Sequence, residues 1–185
     1  TGSIRYDKNE NYAGNFTPRL SAVYTAGANR EHNFRVSYQT GFRNPGLQES
    51  FIAFPLFSFF TILGGSQANV DNYKYTGATG NVITGPQLQQ EFGFGAIEPE
   101  KNKTFDIGYK SLINNKFLID ANLYFTTYDN FLGSNQVVFG GGTPDFKVFL
   151  WYQNRDQKVT TNGFDLNMDY LIGNGFKVGG NFSYT

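Results

Sequence analysis

The 185-residue sequence contains no cysteine and only one histidine. Without cysteine there is no disulfide framework, no cysteine-based zinc site and no thiol nucleophile, and a single histidine excludes a multi-histidine metal site. Charged residues make up 16% of the chain, below the roughly 25% of an ordinary soluble domain. The 15 basic and 15 acidic side chains balance, so no basic field exists to hold nucleic acid. We therefore expect no catalytic residue, no metal or cofactor site and no nucleic-acid partner.

Long apolar runs are also missing. No stretch reaches the roughly 18 apolar residues of a transmembrane helix. The longest run, residues 51–63 (FIAFPLFSFFTIL), is interrupted by Pro55, Ser58 and Thr61. A membrane-spanning β-strand needs only about 9–11 residues, so the absence of a long run leaves a membrane location open.

Aromatic residues and glycine are abundant instead. Aromatics make up 18% of the chain, with 20 Phe and 12 Tyr, and there are 22 Gly. Phe and Tyr favour strands, and Gly favours turns. A disordered chain would not carry so many aromatic side chains. The composition thus favours an ordered all-β fold.

Apolar and polar residues alternate in six segments, which predicts six β-strands arranged as three hairpins. The strands are expected at residues 15–27, 33–43, 103–113, 117–130, 158–172 and 176–185. Short turns within the hairpins alternate with two long connections, residues 44–102 and 131–157. A structureless connection of that length would be unusual in a compact soluble domain.

The two faces of the predicted strands differ in chemistry. The apolar face is expected to consist of Phe105, Ile107, Leu123, Phe125, Leu166 and Phe182. The polar face is expected to consist of Asp106, Lys110, Asp120, Asn122, Asp165, Asp169 and Lys177. Lipid outside and a wet lumen inside would suit these faces, and alternating short and long connections are typical of outer-membrane barrels. The sequence thus predicts an all-β, antiparallel transmembrane β-barrel segment of about six strands with two long extracellular loops. A soluble all-β domain is the alternative.

Two hairpin registers follow from the alternation. A three-residue turn at 114–116 would place Lys110 opposite Asp120 on the polar, lumen-facing side. A turn at 173–175 would place Tyr170 opposite Val178, and likewise Leu166 opposite Phe182. A slip of one residue would carry Asp120 to the apolar face, so the register should be strongly specified.

Three motifs resemble strands of TonB-dependent outer-membrane receptors. Residues 34–45 (FRVSYQTGFRNP) resemble the strand that rises to a GFR-x-P corner in this family. Residues 98–109 (EPEKNKTFDIGY) are similar to its PEK…T-x-E-x-G strand start, with Asp106 where the family often has Glu. Residues 162–165 (NGFD) resemble its N-x-G-x-E/D strand. The resemblance covers nearly all six predicted strands but not the two long loops, and it looks like the SusC-like, carboxypeptidase-regulatory-linked branch.

The resemblance implies active import through the outer membrane of a Gram-negative bacterium. Such receptors have a large barrel with a plug inside it and a TonB box that meets the energised TonB protein. No plug or TonB box is visible here, so we interpret residues 1–185 as part of one outer-membrane β-barrel domain. The implied partners are outer-membrane lipids, the remainder of the barrel and plug, TonB through the missing N-terminal part, and a SusD-like surface lipoprotein.

The expected ligand is a large nutrient, such as a glycan, a peptide or a siderophore-like molecule. Aromatic side chains stack on sugars, and neighbouring Asn or Asp can hydrogen-bond hydroxyl groups. The candidate ligand contacts in the long loops are Tyr73, Tyr75, Phe92, Phe94, Trp151 and Tyr152. We interpret the apolar run 51–63 as a loop segment packed over the barrel mouth or against a partner, with a lipid-dipping or substrate-contacting loop as the alternative.

Two other classes of function remain open. One is a non-transporting barrel that serves as a structural partner in an outer-membrane assembly, and the other is a soluble glycan-binding β-sandwich. Glu98 and Glu100 flank Pro99 and favour a strand-entry corner over a glycosidase carboxylate pair. His32 is expected to be a solvated residue in a turn.

Overall fold

The computed structural model describes residues 1–173 and 175–185. The strands are β1 (Gly2–Asp7), β2 (Asn15–Ala26), β3 (His32–Arg43), β4 (Ala53–Phe57), β5 (Phe60–Leu63), β6 (Lys74–Thr76), β7 (Val82–Thr84), β8 (Glu100–Ile113), β9 (Phe117–Asp129), β10 (Phe131–Phe139), β11 (Lys147–Arg155), β12 (Val159–Gly173) and β13 (Phe176–Tyr184). The helices are α1 (Leu47–Phe51), α2 (Gln67–Asn72) and α3 (Gly85–Phe92). Within residues 1–173 and 175–185, no helix is long and apolar enough to cross a membrane.

The chain forms two compact units. The first, which we call the sheet unit, comprises residues 1–42, 101–128 and 159–185. The second, which we call the loop unit, comprises residues 43–100 and 129–158. The loop unit therefore combines the two segments that the sequence predicted as long connections.

The sheet unit is one seven-stranded sheet with the strand order β1-β2-β3-β8-β9-β12-β13. The pairs β1–β2, β2–β3, β9–β12 and β12–β13 are antiparallel. Strand β1 adds to the six strands predicted from the sequence. Among its six residues only Ile4 and Tyr6 have large apolar side chains. An alternation this short does not identify a strand from pattern alone.

The predicted β12–β13 register is observed, and so is the predicted Lys110–Asp120 pair between β8 and β9. Strand β12 pairs with β13 so that Leu166 faces Phe182 and Tyr170 faces Val178. In the β8–β9 hairpin, residues 114–116 form the connection, and Lys110 Nζ lies 3.2 Å from Asp120 Oδ2. The backbone of this turn needs positive φ, which Asn tolerates better than most residues, and both turn asparagines adopt it (52° and 51°). Of the turn at 173–175, Asn174 lies outside the described residues.

The apolar face of the sheet is not covered by other residues of the sheet unit. Phe105 is 39% exposed, Leu123 42%, Phe125 50% and Phe182 59%, while Leu166 is half-buried. A soluble β-sandwich buries such a face against a second sheet. These exposures therefore argue against the sandwich alternative.

The loop unit has regular structure of its own. It contains a four-stranded sheet in the order β10-β11-β5-β4, a two-stranded sheet of β6 and β7, and the three helices. Strands β5 and β11 pair in parallel, Val148 with Phe60 and Trp151 with Leu63, within segments that the sequence predicted only as long loops. A parallel pair requires a long crossover connection, and here the two strands come from different long connections.

The core of the loop unit is a cluster of aliphatic and aromatic side chains. Its buried members are Leu63, Val70, Ile83, Leu88, Phe149 and Trp151. Only part of the apolar run 51–63 enters this core. Leu63 is fully buried, whereas every residue of β4 is exposed. The run is thus partly a core strand and partly an uncovered edge strand.

Candidate functional site

The polar face of the sheet unit carries charges that neutralise one another. Arg35 on β3 donates from Nη2 to Asp120 Oδ1 at 2.9 Å, and Lys110 approaches the second oxygen of the same carboxylate. Ser37 Oγ donates to Asp106 Oδ2 at 2.9 Å. One carboxylate on β9 thus connects cations from two other strands, and the face remains polar without an excess of either sign.

The remaining predicted polar-face residues lie on β9, β12 and β13. Asn122 faces Asp165 across β9 and β12, and Lys177 Nζ lies 3.1 Å from Asp169 Oδ2. Directly opposed residues of an antiparallel pair project to the same side. The predicted polar and apolar sets are therefore segregated by strand alternation. Which solvent meets each face stays a prediction.

Glycines on the polar face leave room for large side chains. Gly163 on β12 faces Tyr124 on β9, and a Cβ at Gly163 would collide with the Tyr124 ring. The Tyr124 hydroxyl lies 2.8 Å from Thr185 Oγ1. Gly108 lies in the same way beneath the Arg35 guanidinium. The sequence motif around Gly163 marked the glycine, but the ring that covers it became visible only in the folded sheet.

His32 differs from its predicted role. It is the first residue of β3, its Nδ1 lies 2.9 Å from the Tyr109 hydroxyl and 3.1 Å from Ser111 Oγ, and its ring stacks on that of Tyr109. The prediction of a turn was therefore wrong, whereas the His32 side chain remains 35% exposed. The strand begins one residue earlier than predicted, so the imidazole packs on the neighbouring strand.

The loop unit contains a cavity of about 550 Å³, which we call the polar groove. Its lining is Phe92, Gly93, Phe94, Gly95, Ala96, Glu98, Asn130, Asn135, Gln153, Asn154, Arg155, Asp156 and Gln157. Amide, carboxylate and guanidinium groups are concentrated on it, beside two aromatic rings. Such a surface can bind a polar ligand by hydrogen bonds and ring stacking.

Asn154 fixes one wall of the polar groove. Its Nδ2 donates to the carbonyl oxygens of Glu98 (2.9 Å) and Asn130 (2.8 Å), and its Oδ1 accepts from the Glu98 amide at 2.6 Å. The Asn130 side chain in turn donates to Glu98 Oε2 at 3.1 Å. The groove wall is therefore preorganised by side-chain to backbone bonds.

Glu100 has a structural environment different from that of Glu98. Its Oε2 accepts the backbone N–H of Leu132 at 3.0 Å and lies 3.7 Å from Arg43 Nη2. This agrees with a strand-entry corner, since the carboxylate ties the start of β8 to the start of β10. Within residues 1–173 and 175–185, no three His, Asp or Glu side chains are grouped as metal ligands.

The six aromatic residues predicted as ligand contacts separate into three groups. Trp151 is 1% exposed and lies in the core, where Phe92 and Phe94 pack edge-on against it. A ligand at the surface does not reach Trp151 in this arrangement. Phe92 and Phe94 also line the polar groove. Tyr152, the next residue along β11, is half-buried.

Tyr73 and Tyr75 pack against the core and line a second cavity of the loop unit. Both rings lie 6.0 Å from that of Phe149. The cavity measures about 420 Å³, and we call it the tyrosine–lysine cavity. Its lining is Ala53, Pro55, Thr61, Asn69, Asn72, Tyr73, Lys74, Tyr75 and Lys147.

Lys147 is the most unusual residue of this cavity. It is 7% exposed, its Nζ donates to the carbonyl oxygen of Ser58 at 3.3 Å, and the ammonium lies 4.6 Å from the centroid of the Tyr75 ring. Burial lowers the pKa of Lys147. Burial, with smaller contributions from Tyr73 and Asp145, raises the pKa of Tyr75 to about 12.

Sequence reasoning missed the polar residues of both cavities. The polar run 153–157 (QNRDQ), directly after the apolar residues 148–152 (VFLWY), was a usable signal for the polar groove. No local signal pointed to Lys147, because a lysine at this place in the sequence is typical of an exposed loop. Its burial depends on the pairing of β11 with β5 and of β5 with β4.

Comparison with known proteins gives one family. The family model described as TonB dependent receptor-like, beta-barrel, matches residues 1–185. No curated protein sequence matches the chain.

Several solved structures share the fold. The siderophore receptor PirA from Pseudomonas aeruginosa has a TM-score of 0.65 at 15% identity, over 98% of this chain and 30% of that protein. A variant of the ferric enterobactin receptor PfeA from the same species has a TM-score of 0.64 at 13% identity, over 98% of this chain and 23% of that protein. A double mutant of the Serratia marcescens hemophore receptor HasR, in complex with its hemophore HasA and heme, has a TM-score of 0.59 at 12% identity. The match covers 93% of this chain and 22% of that protein. The chain thus spans less than a third of the length of each.

Proposed function

The chain belongs to the TonB-dependent receptor β-barrel family, and from this premise we propose that it forms part of the barrel wall of a transporter in the outer membrane of a Gram-negative bacterium. The observation that carries the proposal is the two-sided sheet. One face presents uncovered apolar side chains such as Phe125 and Phe182, and the other presents paired charges such as Arg35 and Asp120. Lipid on the first face and a wet lumen on the second satisfy both.

The two outermost strands support a larger barrel. Strands β1 and β13 end the strand order of the described sheet, so each offers one row of backbone N–H and C=O groups to a further strand. Each such group left unpaired in hydrocarbon costs several kcal/mol. Further strands that pair with β1 and β13 are therefore part of the proposal, together with a plug inside the closed barrel.

Import is proposed for the complete receptor and not for this stretch of wall alone. The energy source in this family is TonB, so we propose that TonB and the plug are functional partners of the full-length protein. The SusC-like branch and a SusD-like surface lipoprotein remain finer predictions, which rest on the resemblance of the strand motifs.

The proposed ligand is a large, polar nutrient such as a glycan, a peptide or a siderophore-like molecule. The polar groove supports this class, because Phe92 and Phe94 offer ring faces or edges beside the side chains of Asn135, Gln153 and Arg155. Two of the structurally similar proteins are a siderophore receptor and a ferric enterobactin receptor, which favours the siderophore-like class.

Cysteine labelling tests the wall assignment. The 185 residues contain no native cysteine, so Phe105→Cys and Asp106→Cys in the full-length protein each introduce a single thiol into this segment. We expect a water-soluble maleimide to modify Asp106→Cys in native outer membranes and to leave Phe105→Cys unmodified. We expect a lipid-soluble maleimide to modify Phe105→Cys. Equal labelling of both by the water-soluble reagent would contradict the proposal.

Uptake measurements test the transport function. Cells that lack the gene should lose accumulation of one ligand among a panel of ferric siderophores, oligosaccharides and peptides, and cells that lack TonB should lose the same uptake. Restoring the gene should restore it, whereas a plasmid copy with Phe94→Ala should restore it only in part. Normal uptake of the whole panel without the gene would instead favour a non-transporting structural barrel.

A further inference from the structure

We propose that the tyrosine–lysine cavity is a binding site for a carboxylate group of a small organic ligand. The site belongs to the loop unit alone and is separate in its lining from the polar groove. Its central residue is Lys147, whose ammonium group is enclosed by the protein without an acidic partner in the described residues.

The environment of the Lys147 ammonium leaves its bonding capacity unfilled. An ammonium group has three hydrogen-bond donors, and the contacts of this one are the Ser58 carbonyl oxygen and the face of the Tyr75 ring. A charge taken out of water is costly unless it is paired. The lowered pKa of Lys147 has this burial as its cause, and an anion at the ammonium would remove the cost.

The acidic residue nearest in sequence is committed elsewhere. Asp145 Oδ1 accepts the Thr79 backbone N–H at 2.8 Å, and Oδ2 accepts the Thr79 hydroxyl at 2.5 Å. These bonds lower the pKa of Asp145 and hold it as a carboxylate against Thr79. Asp145 is therefore hydrogen-bonded to Thr79 and forms no ion pair with Lys147 among the described residues, while its negative charge acts on the neighbouring Tyr75.

The lining of the cavity has positive charge and no negative charge. Lys74 and Lys147 both line it, and no Asp or Glu does. The amide side chains in the wall are already used, since Asn69 Nδ2 donates to the carbonyl oxygens of Ile52 and Gly64. Asn72 Nδ2 likewise donates to the carbonyl of Ala68. The two lysine ammonium groups are thus the charged groups of the cavity lining.

The dimensions and remaining polarity fit a compact organic acid. A volume of about 420 Å³ falls in the range of small-molecule sites. The buried hydroxyl of Tyr75 has no hydrogen-bond partner among the described residues, and the ring that carries it lies with its centroid 4.6 Å from the ammonium. Lys147 is the buried cation of this lining and Lys74 an exposed one, and a single carboxylate matches the charge of the buried ammonium.

Binding of glucuronate to the full-length protein in detergent tests the proposal, with glucose as the uncharged probe of the same size. Isothermal titration calorimetry should detect glucuronate and not glucose. Lys147→Met should weaken glucuronate binding at least about 10-fold, as expected for a lost charge-assisted hydrogen bond, and Lys147→Arg should retain part of it. Lys158→Met, an exposed lysine outside the cavity lining, should bind like the wild type.

Several outcomes would overturn the inference. These are the absence of glucuronate binding by the wild type, equal binding of glucose, or unchanged affinity in Lys147→Met. If Lys147→Met fails to fold, the exposed cavity residue Lys74 decides. Lys74→Met should weaken binding about threefold through the lost charge, and full affinity would then contradict the site. The assay measures binding without uptake, so its result is distinct from failure of the transport proposal.

Discussion

Glycine 163 illustrates how a single position constrains the sheet. The Tyr124 ring on β9 covers the backbone of Gly163 on β12, where any Cβ would occupy the space of the ring. The position lies in extended backbone, so the requirement for glycine there comes from the ring and not from φ. An aromatic ring over a cross-strand glycine fills the space that the missing side chain leaves.

We predict that Gly163→Ala destabilises the barrel by about 1–3 kcal/mol, because the added methyl group displaces a well-packed ring. Gly180→Ala is the matched control, since no atom lies within 4 Å of a Cβ at that position, and it should change stability by less than about 0.5 kcal/mol. Urea unfolding of the two full-length variants in lipid vesicles measures both. Similar free energies of unfolding would contradict the role assigned to Tyr124.

Tyr75 provides a prediction for alkaline pH. Its pKa in the folded protein is about 12, above the value of about 10 for an unfolded tyrosine. Between these values the folded state keeps a proton that the unfolded state has lost, so stability falls as pH rises from about 10 to 12. The fall should be smaller in Tyr75→Phe.

The spectroscopic check is the phenolate absorbance near 295 nm, measured as the difference between wild type and Tyr75→Phe during an alkaline titration. We expect one tyrosine that titrates near pH 12. A difference spectrum that titrates near pH 10 would show that the Tyr75 ring is solvated.

At the scale of elements, the β8–β9 hairpin is specified both by its turn residues and by ion pairs between strands. Its turn contains Asn114 and Asn115 with positive φ, and its register brings Lys110 to Asp120. Arg35 from β3 forms a second ion pair with the same Asp120 carboxylate. Because a slip of one residue would move Asp120 to the apolar face, the charge cluster and the strand alternation specify the same register.

We predict a strong asymmetry between adjacent residues of β9. Leu123→Arg should destabilise the full-length barrel by about 2–4 kcal/mol if Leu123 lies near the bilayer midplane, because the guanidinium would meet lipid. Asn122→Arg should cost far less, since Asn122 lies on the polar face opposite Asp165. Assembly yield and unfolding free energy of both variants in vesicles provide the measurement. Equal losses would favour a water-exposed sheet and contradict the membrane assignment.

At the scale of the whole molecule, the sheet unit and the loop unit differ in how they are stabilised. The loop unit encloses its own core around Phe149 and Trp151. The sheet unit has uncovered apolar side chains on one face and two edge strands, β1 and β13. We therefore expect its stability to depend on lipid and on further strands, as in part of a barrel wall.

We predict that residues 1–185 expressed alone do not form a stable monomer in detergent or vesicles, because both sheet edges remain open to pairing with other chains. The full-length protein should migrate as a compact, heat-modifiable monomer on cold SDS gels, whereas the 185-residue chain should run as aggregates or as unfolded protein. A discrete, protease-resistant monomer of the short chain in vesicles would contradict the need for further strands.

The sequence by itself determined the strands of the sheet and their faces. Alternation has a period of two, which is a local property, so the segments around Phe105 and Asp106, and the register of Leu166 with Phe182, could be read from neighbouring residues alone. The short strand β1 escaped this reading because six residues carry too little pattern.

Tertiary structure alone decided the character of the two long segments. The parallel pairing of β5 with β11 joins residues that are far apart in the chain, and no local periodicity encodes such a partner. That pairing buries Trp151, which looked like a ligand contact, and places Lys147 against Tyr75. Burial and the proximity of charges depend on which distant segments meet, so the cavities of the loop unit emerged only from the folded chain.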